Sequence, residues 1–149
     1  MKCSRIANNL FIGPSLHDPN GFGELRSLGI TAILSLQSEE DIGEHGLLRE
    51  KEAAFAAELA FRNVPVNDFD SADLETKLLK CVQALDGMLT AGHTVYLHCT
   101  AGVSRSPTVA AAYLHWQLAW PLDQALLCVR KARKCSPNAE AIRHAHWRV

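Results

Sequence analysis

Alternating strand and helix patterns predict an α/β fold with a central, mostly parallel sheet flanked by helices. Short apolar runs bounded by turn residues alternate with longer segments whose apolar residues recur at helical spacing. Because helices connect parallel strands across the sheet, this alternation indicates a sheet covered on both faces. The 149 residues, 48% of them hydrophobic, suit one domain, and no linker or repeat divides them. We therefore expect a single domain over residues 1–149.

The first half of the chain contains three predicted strands and two predicted helices. Leu10–Pro14 is a short apolar run that ends in a turn, and Asp18-Pro19 is a favourable helix start. That helix ends at Gly29, and the apolar, partly β-branched run at 31–36 predicts a buried strand. The next two elements are a helix at 47–60 and a strand at Phe61–Val66.

The second half of the chain contains one predicted strand and four predicted helices. Asp70-Ser71 is a helix cap, apolar residues then recur at helical spacing, and Gly92 ends the helix. A buried strand follows at Thr94–Leu97. The remaining helical patterns lie at 106–119, 122–134 and 138–147. Ligands of such folds bind beyond the carboxyl ends of the strands, so the segment after Leu97 is the expected site.

Composition excludes several functional classes. Fifteen Lys and Arg residues against sixteen Asp and Glu residues leave a net charge of -1, which argues against a nucleic-acid partner bound by bulk charge. The longest apolar stretches are too short to span a membrane, and no apolar signal segment follows Met1. The five cysteines are odd in number and include no C-x-x-C pair, so we expect a reducing, cytoplasmic environment.

Charge is unevenly distributed along the chain. Acidic residues are concentrated in one segment, at Glu39, Glu40, Asp41, Glu44, Glu50 and Glu52. Basic residues are concentrated near the C-terminal end, at Arg130, Lys131, Arg133, Lys134, Arg143 and Arg148. One interpretation is two solvated helix faces on a dipolar molecule, and the other is a basic rim that attracts an anionic substrate.

The segment from His98 to Ser106 follows the last predicted strand and opens a helix, which is typical of an anion-binding loop. We expect its backbone N–H groups and the helix N-terminus to point at the anion. Gly102 permits the required backbone conformation, and the planar guanidinium of Arg105 can bind two phosphoryl oxygens.

Cys99 lies at the start of this loop and is the predicted nucleophile. The amides and the helix dipole that bind phosphate should also favour a thiolate over a thiol. Ser106 can donate a hydrogen bond to the sulfur and stabilise it as a leaving group. His98 is interpreted as a residue that orients the loop, with simple packing as the alternative.

The pattern His98-Cys99-x5-Arg105-Ser106 resembles the signature of the cysteine-dependent protein tyrosine phosphatases, and the run A-G-V-S-R-S-P-T resembles their dual-specificity branch. The resemblance implies a protein tyrosine phosphatase-like fold and a hydrolase that dephosphorylates its substrate through a phosphocysteine intermediate. It also implies that Cys99 carries the intermediate and that Arg105 holds the phosphoryl group. The amide donors that it implies are those of Thr100, Ala101, Gly102, Val103, Ser104 and Arg105.

A phosphatase of this kind needs a general acid for the departing oxygen. In the family, the acid is an aspartate in a loop between a strand and a helix, with a leucine six residues later. Asp68 and Leu74 have that spacing. Asp70 is the alternative, although its position also suits a helix cap, and Asp73 is interpreted as a first-turn carboxylate.

No cofactor or metal is expected. The remaining histidines and cysteines lack metal-ligand spacing, and the loop amides together with Arg105 already neutralise phosphoryl charge. Cys128 and Cys135 are interpreted as packing residues.

Two substrate classes remain open, and a phosphorylated protein is placed ahead of a phosphoglucan. Parts of residues 30–145 resemble the glucan phosphatases, including Leu36-Gln37, Asp68-Phe69-Asp70 and Cys135-x-Pro137. The glucan enzymes, however, have glycine at the position of Ser104 and an aromatic residue at that of Ser136. Phe69 is either a platform for a sugar ring or a loop anchor. A non-catalytic phosphate-binding module is the remote alternative.

Overall fold

A computed structural model describes residues 3–145, and these contain five strands and six helices. The strands are β1 (Ser4–Ala7), β2 (Leu10–Gly13), β3 (Ala32–Ser35), β4 (Ala60–Asn63) and β5 (Val95–His98). The helices are α1 (Asn20–Ser27), α2 (Glu39–Ala56), α3 (Ser71–Thr90), α4 (Arg105–Trp116), α5 (Leu122–Ala132) and α6 (Ala139–His144).

The strands form one sheet in the order β1-β2-β5-β3-β4. β2, β5, β3 and β4 are parallel, and β1 alone pairs antiparallel, with β2. The predicted α/β class with a mostly parallel sheet and flanking helices is therefore confirmed. β1 was not predicted, since this four-residue edge strand contains a single buried residue, Ile6, and therefore has no apolar pattern.

Successive residues of the central strands point to opposite faces of the sheet and into two separate cores. On β3, Ile33 belongs to the smaller core, beside Tyr96 of β5, whereas Leu34 belongs to the larger core, beside Leu97. Residues of α1 and α2 pack into the smaller core, and α3, α4, α5 and α6 cover the other face. This arrangement leaves the end of β5 at the centre of the carboxyl edge of the sheet.

Helix α2 begins eight residues before the predicted start at residue 47. Ser38 and Asp41 form a capping box that starts the helix, with the Ser38 amide donating to Asp41 Oδ2 at 2.7 Å. Gly43 interrupts the helix with φ 72° and ψ 169°, a conformation that only glycine adopts readily. The first turn therefore points in a different direction from the remainder of α2.

Strand β4 ends at Asn63, before the predicted end at Val66, but the chain continues beside β3. The amide of Val64 donates to Ser35 O, and the amide of Val66 donates to Leu36 O. These bonds carry the following loop to the same edge of the sheet as the end of β5.

The helices of the second half match their predictions closely, and Asp70 is the N-cap of α3. The end of the last predicted helix, at residues 146–147, and the basic residue Arg148 lie outside the described residues. No helix within residues 3–145 is both long enough and apolar enough to cross a membrane.

Candidate active site

The loop between β5 and α4 carries the predicted nucleophile and arginine. β5 ends at His98, Cys99 follows at once, and Arg105 is the first residue of α4. The side chains of Cys99 and Arg105 are both buried, with exposed fractions of 2% and 3%. The Ser106 hydroxyl oxygen lies 3.3 Å from Cys99 Sγ, and the Ser106 amide nitrogen lies 3.5 Å from it. The structure thus brings together the sulfur, its hydrogen-bond partner and the arginine.

The peptide groups of the loop are oriented by contacts on its outer side. The carbonyl of Thr100 accepts from the Ser15 amide at 2.9 Å, and that of Val103 accepts from the Ser136 amide at 2.7 Å. Arg133 donates to the two carbonyls between them, to Gly102 O from Nε at 2.8 Å and to Ala101 O from Nη2 at 3.1 Å.

Four successive carbonyls therefore point outward, and in planar trans peptides the following amides point inward. The amides of residues 100–105 donate to no backbone carbonyl of residues 3–145. Gly102 has φ 70°, and a Cβ at this position would lie 2.7 Å from the Gly13 carbonyl, so only glycine fits. The loop is therefore a set of inward N–H donors of the kind that binds a tetrahedral oxyanion.

Arg105 is held by Asp41, a residue that the sequence analysis placed on a solvated face. Nη1 donates to Asp41 Oδ2 at 2.8 Å, and Nη2 donates to Asp41 Oδ1 at 2.9 Å. Burial disfavours the ionised carboxyl, but hydrogen bonds from Arg105, the Ser38 amide and Thr100 outweigh this effect and hold the pKa of Asp41 well below its usual range. The Nε of Arg105 is buried and has no hydrogen-bond partner among residues 3–145.

His98 is fully buried and both ring nitrogens have partners. Nε2 contacts Glu50 Oε2, and Nδ1 lies 2.9 Å from Cys99 O. Because the carbonyl can only accept, the hydrogen bond assigns a donor role to Nδ1, and Nε2 is hydrogen-bonded to Glu50. This arrangement is consistent with the predicted orienting role of His98.

The interpretation of the acidic segment as a solvated face is wrong for Asp41 and Glu50, which are both buried against the loop. The spacing of Ser38 and Asp41 was a capping-box signal available in the sequence, whereas nothing local indicated Glu50. In the basic segment, Arg133 also contacts the loop and not only solvent.

Asp68 lies beside Arg105, whereas Asp70 does not. Asp68 Oδ2 is 3.4 Å from Arg105 Nη2, and about a third of the Asp68 side chain (33%) is exposed. Asp70 Oδ1 instead accepts from the Asp73 amide at 2.9 Å and caps α3. Asp73 Oδ2 in turn accepts from the Asn67 amide at 2.8 Å and ties the loop to the helix. The geometry therefore favours Asp68 over Asp70 as the carboxyl nearest the loop.

The opening beside these residues is narrow. A cavity of about 50 Å³ is lined by residues that include Asp68, Phe69, Ser104 and Arg105, and Cys99 does not line it. Phe69 is fully exposed at this opening, with a left-handed φ of 57°. The contact between Asp68 and Arg105 therefore lies at this opening.

Among residues 3–145, no three His, Cys, Asp or Glu side chains are arranged to hold a metal ion. The site consists of a thiol, amides, a guanidinium and carboxyls. Such groups are suited to nucleophilic attack at phosphorus with charge neutralised by N–H donors.

Comparison with known proteins identifies the family. Residues 20–145 match the family described as "Dual specificity phosphatase, catalytic domain". The chain is 33% identical over 149 residues to the phosphoglucan phosphatase LSF1, chloroplastic, of Arabidopsis thaliana, an alignment that covers 99% of this chain and 25% of that protein. It is 30% identical over 130 residues to dual specificity protein phosphatase 1-B of Xenopus laevis, which covers 87% of this chain and 32% of that protein. The chain thus spans between a quarter and a third of these relatives.

A solved structure has the same fold. The mouse putative dual specificity phosphatase complexed with zinc tungstate superposes with a TM-score of 0.72 at 28% identity, covering 95% of this chain and 84% of that one. The family match covers most of the chain and includes the loop described above. The chain therefore belongs to the dual specificity phosphatase family, as its His98-Cys99-x5-Arg105-Ser106 motif predicts.

Proposed function

We propose that this protein hydrolyses phosphate monoesters and that Cys99 is its nucleophile. The observation that carries the proposal is the loop after Cys99, whose amides donate to no backbone carbonyl of residues 3–145, together with the buried, unpartnered Nε of Arg105. An oxyanion in the loop would satisfy both sets of donors. The tungstate complex of the mouse relative supports this assignment, since tungstate is a tetrahedral oxyanion.

The reaction proceeds in two displacements at phosphorus. In the first, the Cys99 thiolate forms a sulfur–phosphorus bond while the bond to the ester oxygen breaks, and Asp68 gives that oxygen a proton. In the second, water attacks the phosphocysteine, Asp68 takes a proton from the water, and the sulfur departs as a thiolate. The Ser106 hydroxyl, 3.3 Å from Sγ, donates to the departing sulfur.

Charge on the phosphoryl group is balanced by the loop amides and by Arg105. The incoming phosphoryl group replaces the Asp68 carboxylate, which lies 3.4 Å from Nη2. The same displacement thus fills the oxyanion site and releases Asp68 from Arg105 so that it can act as the acid.

We propose phosphotyrosine, phosphoserine and phosphothreonine proteins as the substrates. The Val103-Ser104-Arg105-Ser106 run, which resembles protein-directed enzymes, and the 30% identity to a dual specificity protein phosphatase support this choice. A phosphoglucan is the second candidate. It is favoured by the fully exposed ring of Phe69 at the opening and by the likeness to a phosphoglucan phosphatase.

Hydrolysis of p-nitrophenyl phosphate tests the chemistry. Cys99→Ser should lower kcat at least 1000-fold and retain affinity for inorganic phosphate, because Arg105 and the amides stay in place. Cys128→Ser, which changes a half-buried cysteine on α5, is the matched control and should keep its activity. Wild-type protein that binds phosphate without turnover would instead support a non-catalytic binding module.

Phosphate release from a phosphopeptide panel and from phosphorylated amylopectin tests the substrate class. We expect a higher kcat/KM for phosphopeptides. A higher kcat/KM for amylopectin would instead favour the phosphoglucan, provided that Phe69→Ala loses this activity and Phe55→Ala keeps it. Phe55 is a suitable control because it is also a largely exposed phenylalanine, on α2.

We further propose a cytoplasmic location, on the basis of the unpaired cysteine pattern. LSF1 is by name a chloroplastic protein, so a plastid is the competing location. Microscopy of the tagged full-length protein in its source cells distinguishes the two.

A further inference from the structure

We propose that Asp41 is a positioning residue that holds one edge of the Arg105 guanidinium so that the opposite edge faces the phosphate. This inference rests on the proposed phosphatase function and adds a residue to it. Asp41 contacts the hydroxyl of Thr100 and the guanidinium of Arg105, and we assign its effect on the reaction to the bidentate contact with Arg105.

The contact between the two side chains is bidentate and buried. The two terminal nitrogens each donate to a different carboxylate oxygen, at 2.8 and 2.9 Å, and Asp41 is only 6% exposed. Asp41 is itself held from two sides, by the Ser38 amide at 2.7 Å and the Thr100 hydroxyl at 2.8 Å. A carboxylate held in this way fixes both the position and the rotation of the guanidinium plane.

The hydrogen-bond partners of the five N–H groups of Arg105 show which edge of the guanidinium is left for a phosphate. Asp41 accepts two of them, Val66 O accepts one at 2.7 Å from Nη1, and the Thr100 hydroxyl oxygen accepts one at 3.2 Å from Nη2. Nε–H is the remaining donor, and it is buried and unpartnered within residues 3–145. A phosphoryl group can therefore be bound by Nε–H together with the adjoining, weakly bonded Nη2–H.

Two local features place Asp41 at this point. The capping box with Ser38 orients its side chain at the start of α2, and the glycine conformation of Gly43 separates this first turn from the rest of the helix. The later part of α2 is then able to direct Glu50 at His98. One helix thereby supplies carboxylates to both residues that flank the sulfur.

A competing interpretation is that Asp41 occupies the arginine in place of the phosphate and inhibits binding. The two interpretations predict opposite results. A positioning carboxylate strengthens phosphate binding, so its removal weakens affinity, whereas a competing carboxylate weakens binding, so its removal tightens affinity.

Calorimetric titration with inorganic phosphate and kinetics with p-nitrophenyl phosphate test the proposal. Asp41→Asn should weaken phosphate binding at least 10-fold and lower kcat/KM at least 100-fold, because an amide cannot accept two hydrogen bonds from the guanidinium. Glu40→Gln removes an exposed carboxylate from the same helical turn and should stay within twofold of wild type in both measurements.

A double-mutant cycle separates positioning from a general loss of structure. If Asp41 acts through Arg105, Asp41→Asn should change phosphate affinity less than twofold in an Arg105→Ala background. Glu52→Gly weakens the later part of α2 at an exposed position away from Asp41 and should keep wild-type phosphate affinity, which controls for weakening of α2.

Unchanged or tighter phosphate binding by Asp41→Asn would overturn the proposal. So would an undiminished effect of Asp41→Asn in the Arg105→Ala background. If wild type binds phosphate but hydrolyses nothing, the proposed function fails while the phosphate titration still decides the role of Asp41. If wild type is active and Asp41→Asn equals it, only the role of Asp41 fails.

Discussion

At the scale of single residues, the carboxyl groups near the loop differ in burial and in partner. Asp41 and Glu50 are buried and each contacts a residue of the motif, Arg105 or His98. Asp68 is a third exposed and contacts Arg105 at a longer distance, so it can move when a phosphoryl group enters. Asp70 is committed to capping α3. Carboxyl groups of the same kind thus differ in burial and partner, and these differences are the basis for proposing positioning for Asp41 and acid catalysis for Asp68.

The role of Asp68 as the general acid can be tested by leaving-group dependence. Asp68→Asn should lower kcat for alkyl phosphates about 100-fold and for activated aryl phosphates much less, since an activated leaving group departs without a proton. The alkaline limb of the kcat/KM pH profile should flatten in this variant. Asp70→Asn is the control and should lower thermal stability while keeping the alkaline limb. The reverse pattern would reassign the acid to Asp70.

Arg133 should support catalysis by holding the outward carbonyls of the loop. Arg133→Met removes the donors to Gly102 O and Ala101 O but keeps a long side chain, so we expect kcat/KM for p-nitrophenyl phosphate to fall about 10-fold. Arg130→Met changes an exposed arginine on α5, the helix that ends directly before Arg133, and should have little effect. Equal losses in the two variants would indicate a general effect of positive charge and not an oriented loop.

At the scale of elements, the break in α2 is as important as its length. An unbroken helix from Glu39 to Ala56 would keep its first turn in line with the later turns. The positive φ of Gly43 allows Asp41 and Glu50, nine positions apart, to reach different parts of one loop. The loop between β4 and α3 is similarly placed by hydrogen bonds of Val64 and Val66 to β3.

Alanine substitution at Gly43 should be destabilising for conformational reasons alone. A Cβ at Gly43 would have no atom within 4 Å, but its φ of 72° is strained for alanine, so we expect a loss of about 1–3 kcal/mol in the free energy of unfolding. Gly87→Ala is the matched control. Gly87 also has open space around it but lies inside α3, where alanine should stabilise by about 0.5–1 kcal/mol. Urea unfolding measures both, and stabilisation by Gly43→Ala would contradict this account of the kink.

At the scale of the whole molecule, the buried pair of Asp41 and Arg105 links stability to pH. The pKa of Asp41 is lowered from 3.8 in the folded protein, and that of Asp73 is lowered in the same direction. A lowered carboxyl pKa contributes stability that is complete above the unfolded value and is lost as pH falls through the folded value. The pair therefore stabilises the fold at neutral pH and less so below about pH 4.

Comparison of wild type with Asp41→Asn should show this dependence. We expect the variant to be about 3 kcal/mol less stable at pH 7, because it leaves Arg105 buried beside an uncharged partner. The difference should narrow between pH 4 and pH 3, because Asp41 of the unfolded wild-type chain takes up a proton in this range while the folded protein keeps it ionised. Urea unfolding at pH 7, 5 and 3 measures the difference, with Glu40→Gln expected to match wild type throughout. A constant difference across this range would exclude the ionic origin.

The sequence by itself determined the α/β class, the order of most elements and the residues of the loop, because each depends on neighbours along the chain. Apolar spacing indicated helices and strands, and a nine-residue motif contained Cys99, Arg105 and Ser106 together. The cap at Asp70 and the position of Asp68 were predictable for the same reason. The edge strand β1 and the start of α2 were missed, since four residues with one buried side chain and a helix interrupted at Gly43 have no regular pattern.

Only the tertiary structure decided which residues support the loop from outside. Asp41 and Glu50 are 64 and 48 positions from their partners Arg105 and His98, and Arg133 is 31 positions from Gly102. In the sequence they were members of charged segments that suited solvated faces. Chain folding brings β3, β5 and the helices that follow them to one edge of the sheet. At this edge the three charged side chains form hydrogen bonds with residues of a single loop. These contacts depend on long-range packing, so no local sequence pattern indicates them.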